Sequence, residues 1–405
     1  MRILFLSQRV PYPPNRGDKI TTWRLVERMR RAHEVRCVAF SHGAADEEGA
    51  RELERMGIPI RRVAYADRRA KLLALPLLLT RKPLTLGVYG SRELQTVVDE
   101  EMRWADMAYA YSSSMGAFLE PHAAKPRVMH FGELDSDKWR QYGEQSRGPM
   151  RWIYAREHRT LLEFERRIAL RFTENVVCTP LEQQIFAAQI PGASSIVLRN
   201  GVDLAHFHPG ANAPVAGEIV FTGVMNYHPN ADACVWFVRE ILPLVRRRHP
   251  RAAFRIVGST PSPEVRALAG APGVTVTGFV PDTREHLRRA EVAVAPLRIA
   301  RGIQNKVLEA MAMGLPVVGT TPATQGVEGV PGRDYLVADE VENFAEQVSG
   351  LLDDRARAGE LGRRARRFVE THYDWEAVFR PLDELLDRCA GKPSGAGNLR
   401  GFERS

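Results

Sequence analysis

The chain has little cysteine, few aromatic residues and no long apolar run. Its longest hydrophobic stretch, Leu72 to Thr80, is broken by Pro76 and is about half the length needed to span a bilayer, which excludes a transmembrane helix there. The four cysteines, Cys37, Cys178, Cys234 and Cys389, are scattered with no C-x-x-C pair, which argues against a disulfide framework and a zinc site. The opening MRILFLSQRV lacks a small-residue cleavage site, so it reads as a first β-strand rather than a signal peptide, and a cytoplasmic chain is expected. Aromatic residues make up only 8% of the chain, and the basic half has neither interleaved stacking platforms nor a nucleic-acid reading motif, so no nucleic-acid partner is expected.

What is present describes a soluble globular protein: 405 residues, 44% hydrophobic and 26% charged, with a mean hydropathy of -0.28. That length suits two domains. The net charge of +8 is uneven, since residues 1–199 hold 32 Lys+Arg against 24 Asp+Glu and residues 200–405 hold 25 against 25. A basic first half points to something anionic, such as a lipid headgroup surface or a lipid diphosphate. One segment stands out: in RRAKLLALPLLLTRK, Arg68 to Lys82, basic residues flank a leucine-rich centre. It reads either as an interfacial helix-turn against anionic lipid or as a buried connector ending at Pro76.

Short apolar runs alternate with amphipathic charged stretches in both halves, the pattern of βαβ units on parallel sheets. Strands are expected at 3–7, 35–40, 107–111 and 127–130, and again at 219–222, 254–257, 274–277, 292–295 and 317–319. Turn formers at Ser194-Ser195, Asn200-Gly201 and Pro209 to Gly217 put a boundary near 195–215. The expected division is residues 1–198, residues 199–390 with a last helix that may return to the first domain, and a disordered Gly/Ser-rich tail at 391–405.

Two places invite anionic ligands. Gly17, between the first strand and a helix, allows close backbone approach to unpaired N–H groups. The second is stronger: a strand ending at Ala295 leads into a loop with Arg298, Arg301 and Gly302, and then into a helix from about Gln304. Its first-turn N–H groups face that loop, an arrangement suited to a diphosphate. Glu309 lies too deep in the helix for dipole complementation and is placed to reach ribose hydroxyls. Asp135-Ser136-Asp137 is formally a D-x-D, but reads as polar loop structure, and no metal or cofactor is expected.

The stretch GIQNKVLEAMAMGLPVV, the NGVD at Asn200 to Asp203 and the Gly278-Phe279-Val280-Pro281-Asp282 element resemble glycosyltransferase family 4, retaining enzymes of the GT-B fold. More narrowly, VPYPPNRGDK, FTGVMNYHPNADA and APLRIARGIQNKVLEAMAMG resemble the sugar transferases of PEP-CTERM/exosortase exopolysaccharide systems. The resemblance implies an α/β chain of two Rossmann-like domains facing across a cleft, a nucleotide-diphosphate sugar donor, and a lipid-linked or glycan acceptor docked on the basic first domain. An anionic membrane surface is a further candidate partner. It implies donor contacts at Gly17, Gly223, Asn226, Val280, Arg298, Gly302, Ile303, Gln304, Asn305 and Glu309, and reactive roles for His130, Arg301 and Lys306. Of the family's two bracketing glutamates, Glu309 matches the second, while Arg301 replaces the first and binds either the diphosphate or a sugar acid. The family's basic pair after the first strand of this domain is not evident behind Gly223. Rivals are a GT-B nucleotide-sugar epimerase and a non-enzymatic nucleic-acid-binding protein.

Overall fold

Runs of Val, Ile, Leu and Ala with little polar alternation form strands buried on both faces, as parallel sheets covered by helices require. In the computed structural model of the chain, which describes residues 1–210, 214–300 and 302–391 (Arg68 and Gln145 by backbone alone), these runs build two such sheets. The chain divides into two units, Arg199–Val378 and the remainder.

In the first unit the strands are β1 Arg2–Ser7, β2 Glu34–Ser41, β3 Ile60–Ala64, β4 Met107–Tyr111, β5 Arg127–Gly132, β6 Glu174–Val177 and β7 Ile196–Val197. They are parallel, in the order β3-β2-β1-β4-β5-β6-β7. Ile3, Leu4, Phe5 and Leu6 of β1 are fully buried, each contributing about 1.5 to 3 kcal/mol of transfer free energy, and Phe5 stacks on Tyr109 at 5.6 Å.

The second unit carries β8 Glu218–Thr222, β9 Ala253–Val257, β10 Val274–Val276, β11 Val292–Ala295, β12 Val317–Gly319 and β13 Leu336–Val337. This sheet is also parallel, in the order β10-β9-β8-β11-β12-β13. In each sheet the order reverses once, between β1 and β4 in the first and between β8 and β11 in the second. Connections leave in opposite directions at such a point and open a crevice beyond the carboxyl ends of the two strands, where open α/β sheets bind ligands.

The chain's last described stretch departs from a simple two-part division. From Phe379 onward it groups with the first unit, so residues 379–390 leave the domain to which the sequence assigns 199–390. Arg28 holds Asp383 of the helix Arg380–Cys389 through Nε at 3.0 Å and Nη2 at 2.6 Å, and Arg388 pairs with Glu174 at 3.0 Å. Of the tail expected to be disordered, 391–405, all but Gly391 lies outside the described residues.

Candidate functional site

Glycine clears the crevice of the second unit. Gly223 follows β8 and Gly258 follows β9; a Cβ built on Gly258 would lie 1.6 Å from the Gly223 carbonyl oxygen, and Gly258 sits at φ +151°. The two loops therefore touch backbone to backbone, and no other residue fits at Gly258. Beyond β11 the chain crosses 296–304 and enters the helix Asn305–Ala312, whose N-cap residue Gln304 makes no side-chain cap. A helix start left uncapped presents N–H groups and the positive end of the dipole to an anion.

Three residues after β12 hold this loop, and none was read from the sequence. Thr320 donates through Oγ1 to the Leu297 carbonyl at 2.5 Å, and Gln325 donates through Nε2 to the Ala300 carbonyl at 2.9 Å. Gly326 packs so closely that an added Cβ would meet the Gly302 carbonyl oxygen at 2.2 Å. Gly302 itself is left-handed, at φ +60°. The available signal was the TTPATQG run from Thr320 to Gly326, a capping threonine followed by a turn-forming glycine.

Lys306 and Glu309, three apart on the helix, share a face. Lys306 donates to Asn230 Oδ1 at 3.0 Å and to Gln304 Oε1 at 3.4 Å, and lies 5.4 Å from the Phe221 ring centroid. Asn230 in turn donates to the Val224 carbonyl at 3.0 Å, tying the lysine to the β8 loop. Burial pushes Lys306 down to about 8, with Glu309 and then Cys234 opposing the shift. Burial likewise pushes Glu309 up to about 7, with Lys306 opposing it. Among the described residues nothing hydrogen-bonds the Glu309 carboxylate. A cation and a carboxylate both held close to half-ionisation suit a ligand that brings a phosphate to one and hydroxyls to the other.

The remaining expected donor residues of this unit fall into distinct settings. Asn305 accepts from Asn200 Nδ2 at 3.4 Å, which pins the helix start to the NGVD segment. Ile303 is 8% exposed, so only its backbone can serve a ligand. Asn226 is exposed on the β8 loop, and Val280 packs on the core beside the 75%-exposed Phe279. Arg298 corrects the expectation of an uncommitted cation: its fork is engaged by Asp232, with Nε to Oδ2 at 2.9 Å, and it lies 5.8 Å from the Trp236 ring centroid. Arg301 lies outside the described residues.

Gly17 and His130 belong to the first unit. Gly17 opens the helix Gly17–Met29, where Asp18 pairs with Arg16 at 2.6 Å and Lys19 is buried against Asp46 at 2.6 Å. His130 is read differently by the structure than by the sequence. It is 2% exposed inside β5, its Nδ1 bonded to the Tyr109 hydroxyl at 2.7 Å and its ring 4.8 Å from that of Tyr111. Burial pushes it down to about 3, so the imidazole is neutral and packs the sheet rather than exchanging protons.

A polar cluster missed by the sequence lies at the reversal of this sheet. Gln8, just past β1, donates to Ser112 Oγ at 2.9 Å and to Ser114 Oγ at 2.8 Å beyond β4. Ser113 donates to Asp135 at 2.7 Å, and Ser112 holds a left-handed φ of 80°, strain of about 1 kcal/mol or more for a non-glycine residue. Asp137 turns instead to Arg140 at 2.7 Å and to Gln189 at 3.2 Å, so the two carboxylates of the D-x-D diverge.

Two parallel Rossmann-like sheets of this kind define the GT-B class. Superposition bears this out: sucrose-phosphate synthase from Thermosynechococcus elongatus matches with a TM-score of 0.72 over 96% of this chain and 99% of that one, at 16% identity. HepE from Anabaena, solved with UDP and glucose, matches with a TM-score of 0.70 over 96% and 99%, at 16% identity. Within this fold, residues 216–354, spanning the whole site around Lys306 and Glu309, match the family model described as "Glycosyl transferases group 1". A GDP-mannose-dependent alpha-(1-6)-phosphatidylinositol monomannoside mannosyltransferase from Mycobacterium tuberculosis is 32% identical over 48% of this chain and 56% of its own length. A glycogen synthase from the same organism is 28% identical over 46% and 47%. The chain thus spans about half the length of these curated relatives. An uncharacterized 44.6 kDa protein in the cps region of Klebsiella pneumoniae is 19% identical over 93% of this chain and 98% of its own length.

Proposed function

We propose that the protein is a retaining glycosyltransferase that moves a sugar from a nucleotide-diphosphate donor to a lipid-linked or glycan acceptor in exopolysaccharide or cell-envelope glycan synthesis. The observation that carries this reading is the pairing of Lys306 with Glu309 at the opening of an uncapped helix, over a glycine-cleared crevice, inside the stretch that matches group 1 glycosyl transferases. The names of the mannosyltransferase and glycogen synthase relatives support sugar transfer, and that of the cps-region relative supports the glycan setting. In the proposed reaction the acceptor attacks on the face the diphosphate leaves, and the departing diphosphate takes the acceptor proton. Lys306 and the helix N–H groups stabilise the leaving charge, with no metal required, and loss of one such donor costs about 2.7 to 4 kcal/mol of barrier. Glu309 holds the ribose.

A thermal-shift panel of nucleotides and nucleotide sugars tests this reading. A donor present at about 100 times its dissociation constant stabilises by about 2.7 kcal/mol, and the product of the matching donor and acceptor keeps the donor's anomeric configuration by NMR. A panel in which no nucleoside diphosphate stabilises the protein refutes the donor site. Turnover of donor alone to an isomeric sugar makes the enzyme an epimerase.

A further inference from the structure

The segment 67–88 of the first unit turns its backbone inward and its leucines outward. Arg156, 5% exposed on the helix Pro149–Ala169, donates through Nη2 to the carbonyls of Leu77 at 2.6 Å, Thr80 at 2.5 Å and Lys82 at 3.0 Å. Its neighbour Glu157, 2% exposed, accepts from the Leu84 and Thr85 N–H groups at 2.7 and 2.8 Å and so caps the helix Leu84–Val88. Buried charges that satisfy main-chain groups fix a loop in one conformation, here with Leu72, Leu73, Leu75 and Leu79 at 67%, 68%, 52% and 93% exposed. Trp152, 60% exposed, lies one turn before Arg156 on the same helix face, so it borders the same patch.

Four large apolar side chains and a tryptophan displayed together are costly in water and mark an interaction surface. The partner follows from the rim. Arg69, Lys71, Arg81 and Lys82 are exposed around the leucines, with Asp67, paired to Lys71 at 2.7 Å, as the acidic residue of the stretch. A cationic rim, an apolar centre and an interfacial tryptophan match the layers of a bilayer with anionic headgroups. Among the described residues no helix is long and apolar enough to cross a membrane, so the contact is superficial. We propose that this surface docks the protein on an anionic lipid bilayer, with Leu72, Leu73, Leu75 and Leu79 in the acyl boundary and Trp152 at headgroup depth. The proposal is independent of the sugar-transfer reading.

The test is flotation of the full chain with vesicles of phosphatidylcholine alone and of phosphatidylcholine with phosphatidylglycerol, at low and high salt, alongside tryptophan fluorescence. Binding is expected to the anionic vesicles at low salt, with a blue shift that W152F removes while binding persists. Reversing no charge but removing two, K71Q with K82Q, is expected to weaken partition on the order of thirtyfold, from about 1 kcal/mol per basic residue. L72S with L79S is expected to weaken it at least tenfold while the melting temperature holds, because both side chains already face water. Absence of vesicle binding at low salt overturns the proposal, as does binding that these leucine changes leave intact. A concentration-dependent dimer that L72S with L79S abolishes, without vesicle binding, also overturns it and assigns the patch to contact between copies.

Discussion

A nucleotide diphosphate that docks against Lys306 must take up protons near pH 8. Burial holds the lysine at about 8 instead of 10.5, so at pH 8 roughly half of the ligand-free protein carries it neutral. An opposite charge within about 4 to 6 Å raises the preference for the charged form by roughly 1 to 3 pK units. A rise of about two units protonates nearly every copy, and each binding event then absorbs about 0.5 proton. Glu309, held at about 7, is roughly nine-tenths ionised at pH 8 and contributes at most about 0.1 proton. At pH 6 Lys306 is already charged, and its share of the uptake vanishes. The assay is isothermal titration calorimetry with the nucleoside diphosphate at both pH values, in HEPES and in Tris, whose ionisation enthalpies differ. The dependence of observed enthalpy on buffer gives the proton count directly. Tight binding at pH 8 with no buffer dependence refutes the reasoning, and so does an uptake of about half a proton that survives in K306M.

Three further outcomes follow from the same geometry. E309Q should keep the fold and raise the donor KM or cut kcat/KM by about tenfold, roughly 1.4 kcal/mol, because the amide returns only one acceptor to the ribose; steady-state kinetics with varied donor decide it. G326A should cost about 1 to 3 kcal/mol in a denaturant midpoint and weaken nucleotide binding, since the added methyl collides with the Gly302 carbonyl and displaces the loop. His130 is kept neutral down to about 3 while the unfolded chain protonates it near 6.5. It therefore contributes stability above pH 6.5 that is lost as pH falls through that window, roughly 2 kcal/mol by pH 5. Urea midpoints between pH 7 and 5 should fall less steeply in H130Q, with kcat at neutral pH within about threefold of the parent.

Strands with continuous β-branched or aliphatic runs were legible in the sequence, and those found at 3–7, 107–111, 219–222 and 292–295 agree with the structure to within a residue. The missed strands are edge or near-edge ones. β3 reads IRRVA, and its two arginines pair outward with Glu100 at 3.3 Å and with Glu47 at 2.8 Å, so charge masks the pattern. β7 and β13 are two residues each, too short for any period. The helix start at Lys306 and Glu309 was readable because its chemistry is local in the chain. What holds it was not: Thr320, Gln325 and Gly326 act on carbonyls of a different loop, and Asp232 claims Arg298 from another helix. His130 was misjudged for a related reason. A histidine at a strand's carboxyl end has the same sequence signature whether its ring meets a ligand or a buried Tyr109 hydroxyl.

The two crevices obey one topological rule with opposite chemistry. At the β8/β11 reversal, Gly223, Gly258, Gly302 and Gly326 remove side chains, leaving main chain, an uncapped helix start and one poised lysine and glutamate. A charged, compact group can approach such a surface closely, and the positive end of the helix needs no rearrangement to receive it. At the β1/β4 reversal, Gln8, Ser112, Ser113, Ser114 and Asp135 already satisfy one another, with Ser112 strained into place. A hydroxylated ligand entering there has to exchange hydrogen bonds one for one. Analogues lacking the matching hydroxyl leave buried polar groups unpaired at about 1 to 3 kcal/mol each. The first crevice is therefore built to gather charge and the second to discriminate among hydroxyl patterns, a division written into which residues follow the four strands that flank the reversals.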